Sequence, residues 1–273
     1  MKRIIIATDF SVEAENAMHY AAAAAAERNY EVILFTLQNI SIHALNSRIS
    51  AEGLDQLIKK YQERLDKIAE KLAADYGITV TPYFAMGDFY EELPKCFEAY
   101  KADIVILGMA QKSLEQDLLG NTTTQSLHRL TFPIMAIPLS AKYKGIKNIL
   151  FACDIVRGVH KEVMENVKSF SQDFGSKVEV FHVSNKVAEL IQEKTSKAHL
   201  EEIKQEFNGI SYQYKNVQSH EIVKAIKDEV ELIQADLLVM VPYRYGFWAS
   251  LVHKSKTRVM ASNNSIPLLS LPL

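Results

Sequence analysis

The chain has 273 residues, 48% hydrophobic and 23% charged, with a formal net charge of -2. That length holds two ordinary domains, each able to bury its own core. The near-neutral balance argues against a nucleic-acid binder, and no apolar run reaches a membrane span, so neither nucleic acid nor a membrane is an expected partner.

Ile4 to Ala7 is a continuous, mostly β-branched apolar run, the pattern of a strand buried on both faces of a parallel sheet. Lys2 and Arg3 precede it, but a run this short before Asp9 is no signal-peptide core, so the expected location is the cytoplasm. Asp9, Phe10 and Ser11 open an alanine-rich helix through Ala14, Ala17, Met18 and Ala21 to Ala26. Val32 to Leu37 reads as a strand, and Leu54, Leu57, Ile58, Tyr61, Leu65, Ile68 and Leu72 form one stripe of a long amphipathic helix. Gly77 stops it, and an alternating strand resumes over Ile78 to Tyr83. A helix from Phe89 to Tyr100, a strand from Ile104 to Leu107, a helix over Thr122 to Leu130 and a strand from Ile134 to Ile137 complete the half. After the polar hinge Ser140 to Gly145, strands are expected at Ile149 to Ala152, Val178 to Val183, Ile210 to Tyr214, Leu237 to Val241 and Leu268 to Leu271. Helices are expected at 159–173, 186–207, 219–234 and 255–262.

The two halves echo each other. Lys2 to Asp9 returns as Lys147 to Asp154, Asp103 to Leu107 as Asp236 to Met240, and Phe132 to Pro138 as Ile266 to Pro272, at offsets of 145, 133 and 134 residues. Two copies of one domain, 1–140 and 145–273, are the simplest reading. Strand and helix alternate throughout. The fold class is therefore α/β, with two tandem Rossmann-like open twisted five-stranded parallel sheets flanked by helices.

Five pieces in order carry a family likeness: the Lys2 to Ser11 segment, Gly87-Asp88 ahead of a helix, Ala102-Asp103 leading into Ile104 to Gly108, Gly120-Asn121-Thr122, and Phe132-Pro133. Together with the weaker echo in the second half, they make the chain resemble the tandem form of the universal stress protein (UspA-like) family. The resemblance implies the adenine-nucleotide alpha hydrolase-like version of the fold. It also implies that the strands Ile134 to Ile137 and Leu268 to Leu271 pair and make the chain an intramolecular pseudo-dimer, with a further homodimer open.

Ligands of such sheets bind outside the carboxyl ends of the strands where strand order reverses. The family's nucleotide-binding members carry Gly-x-x-Gly-x9-Gly-(Ser/Thr) after the fourth strand, where glycine lets the backbone approach phosphate and a helix N-terminus faces the anion. Here Gly108 is kept, Gln111 replaces the second glycine, and Gly120 comes one residue early before Asn121, Thr122 and Thr123. A phosphate cradle and a plain helix N-cap both fit these residues. The resemblance places Asp9, which could equally serve as a helix N-cap, beside the base and ribose and Leu37 against the adenine, with Ala7, Thr8, Gly87 and Met109 completing the cofactor-binding set. ATP or another adenine nucleotide is the implied cofactor of the first half only.

In the second half Val241 stands for Gly108, Arg244 for Gln111, and His253-Lys254-Ser255 for Gly120-Asn121-Thr122. The motif is lost there. Tyr243, Tyr245, Phe247 and Trp248 in the same loop read best as space-filling, and Asp154, with no partner loop, reads as a helix cap. Cys96 and Cys153 occupy non-corresponding positions without metal spacing and are expected reduced. His182 reads as a satisfied core histidine, and no metal set or catalytic constellation emerges. Three functions follow in order: a cytoplasmic stress-response binding and interaction module, a partner-binding protein without nucleotide, and a weak ATP hydrolase resting on Asp9, Asp88 and Lys112.

Overall fold

The computed structural model describes residues 2–38, 51–109, 122–155, 158–184, 198–241 and 266–272. The first half runs β1 (Arg3–Ala7), α1 (Val12–Arg28), β2 (Glu31–Gln38), α2 (Ala51–Tyr76), β3 (Val80–Met86), α3 (Phe89–Tyr100), β4 (Ile104–Met109), α4 (Thr122–Arg129) and β5 (Ile134–Pro138). The second runs β6 (Asn148–Ala152), α5 (Lys161–Phe174), β7 (Lys177–Ser184), a helical stretch over 198–206, β8 (Tyr212–Gln218), α6 (Ile222–Leu232), β9 (Leu237–Met240) and β10 (Leu268–Ser270).

The ten strands form one sheet in the order β3-β2-β1-β4-β5-β10-β9-β6-β7-β8. Neighbours within each half are parallel, and the halves join where β10 runs antiparallel to β5, Leu269 opposite Met135. The expected meeting of the two Pro-flanked strands is therefore the seam of the molecule, and it covers two strand edges at once. In the first half the chain steps outward from β1 to β3 and then returns to β4. Right-handed crossovers accordingly place α1 and α2 on one face and α3 and α4 on the other. Ile4 and Ile6 pack with Ala17, Ala21, Leu65 and Leu72, while Ile5 and Ala7 pack with Leu93, Cys96 and Leu130.

Two sequence expectations shift. The eighth strand begins at Tyr212 instead of Ile210, because Ile210 closes a turn on Phe207 and packs on the core. Its true residues include the polar Lys215, Asn216 and Gln218 and pair with β7 alone, as an edge strand permits, so an apolar-run criterion misses them. On α2, Leu65, Ala69 and Leu72 are buried, but Leu54, Leu57, Ile58 and Tyr61 are only half-covered. At about 1.5 Å per residue the helix is roughly 39 Å long, more than the roughly 27 Å of β2, so its first turns overhang the sheet. The expected helix at 255–262 and residues 186–197 of the expected 186–207 helix lie outside the described residues.

The short link between the halves is pinned to α1. Buried Asn16 donates from Nδ2 to the carbonyls of Pro138 (2.9 Å) and Ala141 (3.1 Å), and its Oδ1 accepts from Lys142. Tyr143 packs edge-on against Tyr20. A second tie joins the start of β1 to α5. Lys2 donates to Ser169 (2.8 Å) and to Asp173, and the Tyr30 hydroxyl donates to the same carboxylate at 2.6 Å. Burial first, then Asp173, pushes the Tyr30 phenol well above its ordinary pKa, so it stays a donor.

Candidate functional site at the β1 and β4 switch point

Strand order reverses between β1 and β4, and in sheets of this kind a ligand crevice lies outside the carboxyl ends of the strands at such a point. Ala7, Thr8 and Asp9 come from the end of β1, Leu37 from β2, Gly87 from the end of β3, and Gly108 and Met109 from β4. Thr122 and Thr123 lie in the first turn of α4. Sheet topology thus brings every described member of the predicted set to one edge. Gln111, Gly120 and Asn121 lie outside the described residues, as do Lys112, Arg244, His253, Lys254, Ser255 and the aromatic group Tyr243, Tyr245, Phe247 and Trp248.

Asp9 is exposed, and its Oδ1 accepts the Ser11 N–H at 3.0 Å. Ser11, not Asp9, is the N-cap of α1, its Oγ accepting from Ala14 N at 3.2 Å. The capping role open to Asp9 on sequence is thereby taken by its neighbour, and the second Asp9 oxygen has no hydrogen-bond partner among the described residues. Around it the turn is tightly bonded. Phe10 N donates to Thr8 Oγ1 at 3.0 Å, and Thr36 Oγ1 donates to Thr8 O at 2.7 Å. At the next strand end, Gly87 takes φ +135° and its N–H donates to Gln38 O at 3.3 Å, joining the ends of β2 and β3. Asp88 caps α3 by accepting from Tyr90 N at 2.8 Å, so that carboxylate is engaged in the fold.

Gly108 has a packing reason of its own. A Cβ there would stand 2.6 Å from the carbonyl carbon and oxygen of Glu13 and 2.7 Å from Ala14 N. The first turn of α1 lies directly on the end of β4, and only glycine leaves room for it. This accounts for Gly108 without any phosphate.

The second half solves the same junction differently. Four residues, 8–11, separate β1 from α1, but eight, 153–160, separate β6 from α5. The longer loop carries Ile155 and Val159 into the core cluster that holds Val241, itself buried. Val241 thus packs in the core at the place that glycine serves in the first half. His160 is the N-cap of α5, with no side-chain cap bond, so Asp154 is not the cap of that helix. His182 is buried, its Nδ1 3.1 Å from Cys153 O and 3.3 Å from Ile155 N, a satisfied histidine as its strand position implied. Burial pushes the Cys153 thiol well above its ordinary pKa, which opposes a thiolate. No group of three metal-ligating side chains occurs among the described residues.

Sequence reasoning missed Phe10 and Arg64. Phe10 has φ 65°, and its ring lies beneath the Arg64 guanidinium, 4.1 Å from centroid to carbon. A bulky residue between the Asp and the capping Ser was the available signal for the first. Nothing in the sequence points to the second, which comes from α2, more than fifty positions away.

Comparison with known proteins places this geometry. The profile of the Universal stress protein family matches residues 1–138. Two universal stress proteins of Methanocaldococcus jannaschii are 26% and 27% identical over 138 and 154 residues, each spanning 50% of this chain and 81% and 94% of their own lengths. The crystal structure of a universal stress protein from Archaeoglobus fulgidus DSM 4304 superposes with TM-score 0.73 at 19% identity, covering 99% of this chain and 96% of that one. A protein of unknown function from Pseudomonas aeruginosa PAO1 superposes with TM-score 0.60 at 14% identity, covering 100% and 92%. At these identities the two structures speak for the fold alone.

Proposed function

The chain belongs to the universal stress protein family, its first 138 residues matching the family profile, and on that premise we propose a binding module that holds one adenine nucleotide in the N-terminal crevice. ATP is the first candidate ligand, with AMP and ADP sharing its base and ribose. The division into domains 1–140 and 145–273, a stress-response role and a cytoplasmic location belong to the same proposal.

One observation carries it: Asp9, exposed at the switch point with one carboxylate oxygen unengaged among the described residues. A carboxylate held there can accept two ribose hydroxyls, each a charge-assisted bond. Thr122 and Thr123 start α4 on the same edge, where a helix N-terminus favours phosphate. The second crevice has Val241 packed in the core instead of glycine, and the half that holds it serves as the structural partner. Calorimetric titration of the purified chain with AMP, ADP and ATP is the test. One site per chain at most is expected, and two equal tight sites would overturn the asymmetry.

A second reading has its own observation in favour. Since packing alone requires Gly108, its presence does not commit the chain to a nucleotide. A partner-binding protein without nucleotide then follows. On that reading millimolar ATP leaves the melting temperature unchanged and the mass spectrum of the purified protein contains no retained nucleotide.

A further inference from the structure

The turn between β1 and α1 carries a strain that the strand-to-helix step does not demand. Phe10 sits at φ 65°, a left-handed conformation that costs a bulky side chain and that gathers at functional sites. Its counterpart after the second Asp, Ile155, is not left-handed. There the backbone is held through its carbonyl, Ile155 O lying 2.7 Å from His199 Nδ1, while Ile155 N and Cys153 O share the neighbourhood of His182 Nδ1 at 3.3 and 3.1 Å. The residue following the Asp is thus anchored in both halves, through its backbone in one and its ring in the other.

The left-handed step separates two directions. Asp9 stays exposed at the crevice, while the Phe10 ring packs against the core on the α1 and α2 face and lies under Arg64. Behind the turn is a cavity of about 160 Å³, lined by Thr8, Phe10, Met18, Arg64, Ile68 and Leu72 among others. Packing therefore does not close around the ring on every side. Arg64 makes no ion pair among the described residues, and its planar guanidinium lies over the ring, a contact that crosses from α2 to the turn.

We propose that Arg64 and Phe10 are positioning residues for Asp9. The stack holds Phe10 left-handed, and the left-handed step fixes the direction in which Asp9 offers its unengaged oxygen to the ligand. The inference rests on the nucleotide reading for its ligand, but the order of the turn can be measured without one.

The test measures backbone order parameters for residues 9–11 by NMR, AMP affinity by calorimetry, and melting temperatures of variants. R64A is expected to lower the order at 9–11 and to weaken AMP binding about three- to tenfold, with melting close to wild type. Unchanged order in R64A, or lowered order with unchanged affinity, would overturn the proposal. If the wild-type chain binds no AMP, the nucleotide reading fails by itself. The order parameters then decide the clamp: lowered order in R64A supports it and unchanged order removes it.

Discussion

Replacing Gly108 with alanine tests whether this glycine serves the fold or a phosphate. The new Cβ would lie 2.6 Å from Glu13 C and O and 2.7 Å from Ala14 N. Comfortable contacts between such atoms start near about 3.5 Å, so roughly 0.8–0.9 Å must be found. All three atoms are backbone, and no side-chain rotation can supply it. The first turn of α1 is also anchored, by the Ser11 cap and by Glu15 N donating to Ser11 O at 2.9 Å. Overpacking of this kind costs about 1–3 kcal/mol. For a chain of this size a central value of about 2 kcal/mol lowers the melting temperature by roughly 4–8 °C. The assay is calorimetric melting of wild type and G108A, each with and without AMP. A mutant that melts like wild type but no longer binds AMP would refute the packing argument and return Gly108 to the phosphate role. In the mirror experiment, V241G, the emptied core site should cost about 2–4 kcal/mol and bring no second nucleotide site.

D9N keeps an acceptor for the Ser11 N–H and should fold normally. Loss of charge-assisted bonding of about 1.5–3 kcal/mol should weaken AMP roughly ten- to hundredfold by calorimetry, and equal affinity would remove Asp9 from the site. Buried Glu179 accepts from Gln213, while its Oε1 has no hydrogen-bond partner among the described residues and Glu229, paired with Lys215, adds negative charge. Burial first, then Glu229, raises its pKa above 4.5; the stability it contributes is full below that value and is lost as pH rises through the raised one. Urea unfolding from pH 4 to 8 should therefore show E179Q gaining on wild type with increasing pH, and parallel curves would contradict the shift. D173A leaves Lys2 and the Tyr30 hydroxyl without their shared acceptor. With both ion-pair side chains about a quarter exposed, at 26% and 28%, a loss of about 1–2 kcal/mol is expected in urea unfolding. An unmoved midpoint would mean that this tie between the halves adds nothing.

The order of strands and helices was legible in the amino-acid sequence, because apolar periodicity and turn residues act over neighbouring positions; the seam between the Pro-flanked strands was implied by the family resemblance, since pairing between segments so remote in sequence leaves no local signal. The edge strand β8 was misplaced for the same reason: exposed on one side, it carries little apolar signal. The candidate site was legible as a set of strand ends, since sheet topology delivers Ala7, Asp9, Leu37, Gly87, Gly108 and Met109 to one edge wherever their side chains point.

What each residue does there was decided by tertiary structure. Ser11 rather than Asp9 caps α1; Gly108 answers to the backbone of Glu13 and Ala14; Val241 is buried in the core where the first half carries that glycine. Arg64 reaches Phe10 from another helix. Residue types and spacing fix which groups the chain possesses and which elements carry them. Whether a glycine makes room for a ligand or for a helix depends on distances between segments remote in sequence, and those exist only once the chain has packed.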